Sequence, residues 1–215
     1  GLMTMLYIMQ RHLQYHPNSR VYEPAELGLL HVDKLSIATP DGESLLAWYR
    51  KAEYGKPTIL YLHGNGGGLS NRAKKIGYYI DQGFGVLALS YRGYEGSTGS
   101  ISEAGLVTDA AAAYDWLLAN GLTKDTIVVV GESLGSGVAV QLAASRPVRA
   151  LALEAPFANA VDLGAKAYWF FPVGLLMKDQ YRSTQFIRSI AAPLLVQHGG
   201  NDEVVPLAQG QYLFD

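Results

Sequence analysis

Gly131-Glu132-Ser133-Leu134-Gly135 sets a serine between two glycines, directly after the apolar run Thr126–Val130 and before the small-residue run Ser136–Ala144. A strand that turns straight into a helix brings backbones into near contact, and flanking glycines remove the Cβ atoms that would collide. The serine hydroxyl is thereby pushed out at the carboxyl edge of a sheet. The helix starting there offers free amides and its positive dipole end to a developing oxyanion. Ser133 is therefore the candidate nucleophile for acyl transfer. A glycine-rich crossover carrying a solvated serine is the competing reading, and it leaves the strand–turn–helix context unexplained.

A second glycine-rich loop, His63-Gly64-Asn65-Gly66-Gly67-Gly68, follows the apolar run Thr58–Leu62. Acyl transfer puts negative charge on the former carbonyl oxygen, and amides already aimed at it stabilise it by a few kcal/mol each. The Asn65 N–H is the candidate donor from this loop and the Leu134 N–H is its partner. A phosphate cradle competes, but no Gly-Lys-Ser/Thr follows and the G-x-G-x-x-G spacing is missing. His63 reads as a residue that orients the loop rather than as a general base.

These side chains need a rigid frame. Thr58–Leu62, Val86–Leu89, Ile127–Val130, Ala150–Leu153 and Leu194–Val196 are short, nearly continuous apolar runs, as expected of parallel strands buried on both faces. His31–Thr39 and Ser44–Tyr49, joined by Pro40-Asp41-Gly42, read as an opening β-hairpin. Leu106, Ala110, Tyr114, Leu117 and Leu118 form one helical stripe, with Ser100 as the predicted N-cap, Glu103 at N3 and Gly121 past its end. The expected fold is α/β: one domain over 1–215 with a mostly parallel, doubly wound sheet. Residues 157–192 exceed one crossover helix and are expected to form a small cap. Its bulky residues, among them Trp169, Phe170 and Leu176, are either cap core or the wall of an acyl pocket.

Composition narrows the partners. Apolar residues make up 49% and charged residues 17% of 215, enough for a buried core, and the net charge of −2 comes with no long basic run, so nucleic acid is not expected. With no cysteine there is no disulfide framework, thiolate nucleophile or Cys-ligated zinc, and the chemistry calls for no metal and no cofactor. Residues 1–16 open with Leu2–Met9, far shorter than the ~20 residues of a membrane span. Two readings stand: a helix packed on the domain, or the tail of a membrane anchor. The compartment is accordingly either cytoplasmic or membrane-anchored.

Taken together, the elbow, the His-Gly-Asn-Gly loop and Tyr91-Arg92-Gly93-Tyr94-Glu95-Gly96-Ser97-Thr98-Gly99 resemble the α/β-hydrolase superfamily, in particular its bud-emergence-like, acyl-protein-thioesterase-like and serine-aminopeptidase-like branch. The likeness runs from about residue 15 to the end. Glu95 departs from the Arg-Gly-Tyr-Gly usual in such enzymes, which implies an altered turn or a charge near the site entrance. The resemblance makes Asp202, in His198-Gly199-Gly200-Asn201-Asp202, the triad acid in preference to Glu154. It also implies the order serine, acid, histidine, yet His12, His16, His31, His63 and His198 all precede Asp202. The last strand, the histidine loop and the closing helix are therefore expected to be missing, and turnover by these 215 residues is expected to be low; His198 as a relocated base is the alternative.

The function implied is hydrolysis of a carboxylic ester or thioester of a small-molecule or acyl substrate, with a peptidase or amidase, or a non-catalytic binding protein, as alternatives. A sheet ending at Leu194–Gln197 also exposes an edge through which copies of the chain could pair.

Overall fold

The computed structural model describes residues 1–170 and 172–214. Thr58–Leu62 forms a strand (β3) with every residue buried, and its side chains divide between two cores. Leu60 and Leu62 point into one cluster with Leu87, Leu89, Val129, Leu106 and Val138, whereas Ile59 and Tyr61 join Val86, Ala88, Leu69 and Ile76 on the opposite face. Alternate side chains thus meet apolar layers on both sides, which is why the sequence shows no polar alternation.

Two strands precede it: Asp33–Ala38 (β1) and Ser44–Arg50 (β2), an antiparallel hairpin in register from Asp33↔Tyr49 to Ala38↔Ser44. After β3 come Gly85–Leu89 (β4), Ile127–Glu132 (β5), Ala150–Glu154 (β6) and Leu194–Gln197 (β7). The sheet order is β1-β2-β4-β3-β5-β6-β7, with β3 through β7 parallel and β2 antiparallel to β4. The chain leaves β3 toward β4 on one side and leaves β5 toward β6 on the other. Such a reversal opens a crevice at the carboxyl ends of β3 and β5, where ligands bind in open α/β sheets. Those ends carry the Asn65 loop and Ser133.

Seven helices complete the frame among the described residues: Leu2–Gln14 (α1), Ala73–Asp81 (α2), Glu103–Ala119 (α3), Leu134–Ser145 (α4), Ala160–Ala167 (α5), Val173–Leu176 (α6) and Leu207–Phe214 (α7). Helix α3 begins two residues later than Ser100 would place it. Ser102 is extended and its Oγ accepts from Gly105 N, while Glu103 turns away to bond Gln141 and the Gln180 amide, so no capping box forms at Ser100. The expected cap holds α5, α6 and two 3₁₀ turns; Phe171 lies outside the described residues. Among the described residues strand β7 pairs only with β6 and ends the sheet, and Leu195 is exposed there.

The loop after β4 is built on one buried and one half-exposed ion pair. Arg92 bonds Asp109 of α3 and Asp41 of the hairpin turn, tying three segments together. Glu95 is 1% exposed and accepts from the Leu69 and Ser70 amides, so it fastens the turn behind the Gly64–Gly68 loop and puts no charge at the site entrance.

Candidate active site

Ser133 sits at φ 49°, ψ −112° between β5 and α4, a conformation that non-glycine residues rarely hold unless their surroundings enforce it. The enforcement is visible. The Ser133 amide donates to Glu154 O (2.8 Å), and its carbonyl accepts from the Ser136 amide (2.8 Å) and hydroxyl (2.6 Å). A Cβ on Gly131 would stand 2.7 Å from Ala139 Cβ, and one on Gly135 would stand 2.7 Å from the His63 carbonyl oxygen and closer still to that of Leu62. Among the described residues, nothing hydrogen-bonds the Ser133 hydroxyl.

Ser133, Leu134 and Asn65 line one cavity of about 270 Å³, near the lower end of the ~300–1,000 Å³ common for small-molecule sites. The rest of its wall is mostly apolar: Leu6 and Leu13 from α1, Phe157, Leu163, Tyr168, Val173, Met177, and Val204 and Val205 from the loop after β7. Leu134 is the first residue of α4, so its N–H has no acceptor within the helix. Neither that N–H nor the Asn65 N–H meets a protein acceptor among the described residues. Two backbone donors therefore border the same space as the serine.

The bulky residues of the cap behave differently from the acyl-wall expectation. Trp169 and Phe170 turn to solvent, and Leu176 lies outside the lining; Tyr168, Val173 and Met177 occupy the wall instead. The reason is local: Tyr168 caps the end of α5 and Val173 opens α6, and Trp169 and Phe170 follow the helix end facing outward.

Asp202 lies in the loop after β7. Its Oδ1 accepts from the Val204 and Val205 amides (2.9 and 2.8 Å), while Oδ2 faces His198 Nε2 at 3.8 Å. One oxygen is thus pinned and the other is left for a partner, as an orienting acid requires. Glu154, the rival, is committed to Lys75 and the Tyr79 hydroxyl. His198 donates from Nε2 to the Val205 carbonyl (2.7 Å) and presses Nδ1 against Gly210, so its ring does not line the cavity.

Sequence reasoning missed how Asn65 is held. Its side chain accepts from His16 N (3.1 Å) and the Tyr94 hydroxyl (3.0 Å) and donates to Gln14 O (2.5 Å). One residue therefore couples the end of α1 to the loop that bears the candidate donor. Arg72 braces the same loop, bonding the Gly66 carbonyl and Glu132 Oε1 (2.8 Å), the residue before the serine. Burial pushes the Glu132 carboxyl up, but the Tyr61 hydroxyl and the Arg72 guanidinium hold it down at about 2.

His63 is fully buried against Tyr91 and Tyr94, with ring centroids 4.5 and 5.0 Å away, and donates from Nδ1 to the Gly64 carbonyl (2.7 Å). Burial lowers its pKa to about 4, so it is a neutral prop for the loop. Unfolding returns it to an ordinary value near 6.5, and the unfolded chain then binds the extra proton. The stability it contributes is complete above about pH 6.5 and is lost as pH falls toward 4, by about 3 kcal/mol in total. Glu132 adds its own loss only below about pH 4.5. Urea midpoints are therefore expected to fall between pH 6.5 and 4.5 in the natural chain and to stay flatter in His63→Gln. Equal slopes in the two would rule this role out.

The sequence pattern of the alpha/beta hydrolase fold family matches residues 57–171. An uncharacterized protein of Mycobacterium tuberculosis is 38% identical over 216 residues, covering 99% of this chain and 77% of the relative. The lysophosphatidylserine lipase ABHD12 of Danio rerio is 33% identical over 190 residues, covering 78% of this chain and 49% of the lipase. Among solved structures, the Pyrococcus furiosus esterase Pf2001 superposes with a TM-score of 0.72 at 22% identity, covering 93% of this chain and 82% of the esterase.

Proposed function

The chain belongs to the α/β-hydrolase family, and from that premise we propose that it is a serine hydrolase cleaving a carboxylic ester or thioester through an acyl-enzyme on Ser133. The observation that carries this reading is the strained serine opening into an apolar cavity beside two uncommitted backbone N–H groups. Ser133 Oγ attacks the carbonyl carbon, the Asn65 and Leu134 amides take the charge on the oxygen, and the proton given up by the serine hydroxyl passes to the departing alcohol or thiol. Water then attacks the acyl-serine, releasing the acid and restoring the hydroxyl. Asp202 orients the base through its free oxygen. None of the five histidines lines the cavity, so in this reading none of them stands against Ser133 as its base.

An apolar wall of this size suits one acyl chain with its polar end left at the mouth. The lysophosphatidylserine lipase among the relatives acts, by its name, on a phospholipid of that form. A single-chain lipid ester is the substrate class of this proposal.

p-Nitrophenyl octanoate, whose leaving group needs no protonation, tests it. Peptide mapping is expected to find an octanoyl adduct on the Ser133 peptide that persists for want of a base to activate water. Absence of an adduct there, or equal acylation of surface serines, would overturn the reading and favour a binding protein on the same fold.

A further inference from the structure

Helix α1 is turned inside out for a helix facing water. Its polar residues Gln10, Arg11 and Gln14 face the domain: Gln10 bonds the Leu176 carbonyl and the Lys178 amide, Arg11 grips Asp179, and Gln14 bonds the Asp179 carbonyl. Met5, Ile8 and Met9 lie on the outer side, with Ile8 67% exposed. A surface helix normally shows its charged stripe to solvent. On the cap, Trp169 adds a residue at 84% exposure and Leu175 of α6 one at 81%. The two patches flank the same opening, because Leu6, Leu13, Tyr168 and Val173 line the cavity between them. Exposed apolar surface gathered around one mouth marks a docking site.

Charge identifies the occupant. No aspartate or glutamate occurs from residue 1 to 22 or from 163 to 178, although the whole chain carries a net charge of −2. Lys166 and Lys178 are exposed and pair with no carboxylate among the described residues; Lys178 lies over the Tyr7 ring at 4.3 Å. A second copy docking by a two-fold axis would set a face with two lysines, and the exposed Asp162 and Glu203 at its margins, against itself. A bilayer of anionic phospholipid meets both needs, taking apolar side chains below the headgroups and offering phosphates to the lysines. No described helix is long and apolar enough to cross a membrane, and α1 is held on the domain through Gln10, Arg11 and Gln14. It would lie in the interface.

We propose that the outer face of α1 and the exposed Trp169 and Leu175 of the cap form a docking surface for an anionic phospholipid bilayer, which sets the cavity mouth at the lipid–water boundary. Sedimentation with vesicles measures it. The chain is expected to bind phosphatidylcholine vesicles containing phosphatidylglycerol roughly tenfold or more tighter than phosphatidylcholine alone, and to lose that preference in high salt. Ile8→Asp with Leu175→Asp is expected to abolish binding, and Lys166→Glu with Lys178→Glu to abolish the preference. All four positions are exposed, so the melting temperature should hold. Ser133→Ala should bind like the natural chain, and Ile8→Asp should still acylate Ser133 from soluble ester, so the surface and the chemistry fail separately. Equal binding to both vesicles, indifference to Ile8→Asp, or a dimer that Ile8→Asp disperses would overturn the proposal, the last in favour of a second copy.

Discussion

Once a histidine reaches Ser133, Ser133→Ala is expected to abolish labelling by a fluorophosphonate probe, and in residues 1–215 alone it is expected to leave the slow residual hydrolysis almost unchanged. The two halves follow from one physical point. Triad residues act as a unit: losing the serine or the histidine alone costs about as much as losing all three, about 10⁶ in turnover. What survives is a rate about 10³–10⁴ above water that comes from the oxyanion donors and binding. No histidine ring lines the cavity, so on the proposed mechanism residues 1–215 are expected to stand at that residual level, and removal of the hydroxyl to take away covalent capture but little rate. Supplied with a histidine that reaches Ser133 and Asp202, the same substitution is expected to cost the full factor of about 10⁶. A large drop in the 215-residue chain would mean that one of its own histidines serves as base. His198, 3.8 Å from Asp202, is the first to test, by His198→Gln. Equal labelling of Ser133→Ala would remove Ser133 from the mechanism altogether.

The parts legible in the sequence are those fixed by local constraints. The runs Thr58–Leu62 and Ile127–Val130 had to be buried strands because nothing polar interrupts them, and the glycines around Ser133 had to mark a close backbone approach. What stayed hidden depends on long-range placement. Trp169 and Phe170 are as bulky as a pocket wall requires, yet composition cannot say which side of a bend they occupy. The start of α3 offered two serines in three residues, and only the extended backbone at Ser102 decides between them. The role of α1 as a cavity wall was least visible, because its apolar residues run nearly all round the helix. Its one clue was the cluster Gln10, Arg11 and Gln14, a polar face on the wrong side. The Asn65 side chain likewise finds its partners 29, 49 and 51 residues away, beyond any motif.

Gly135→Ala is expected to be the most damaging single methyl in the protein. The added Cβ would overlap the Leu62 carbonyl oxygen and stand 2.7 Å from that of His63, and both obstacles are backbone. Neither can swing aside as a flexible side chain would. Leu62 pairs in register with Gly131 across β3 and β5, so relief requires α4 to shift off the sheet or the β3 carboxyl end to buckle. The first moves the Leu134 amide and the second moves the Asn65 loop, and either misaims an oxyanion donor. Overpacking in a tight core costs typically 1–3 kcal/mol where side chains can adjust. Here, with backbone on both sides, a loss of about 3 kcal/mol or more is expected, enough to threaten a domain stabilised by 5–15 kcal/mol. Gly199→Ala and Gly200→Ala are the internal controls. A Cβ at either meets nothing within 4 Å, and neither glycine needs a positive φ, so both should unfold within about 0.5 kcal/mol of the natural chain. Urea unfolding of the three variants checks the contrast, with octanoyl transfer to Ser133 as the second readout. A Gly135→Ala protein that matches the controls in both would show that the elbow is not locked by this contact, and the strain at Ser133 would need another source.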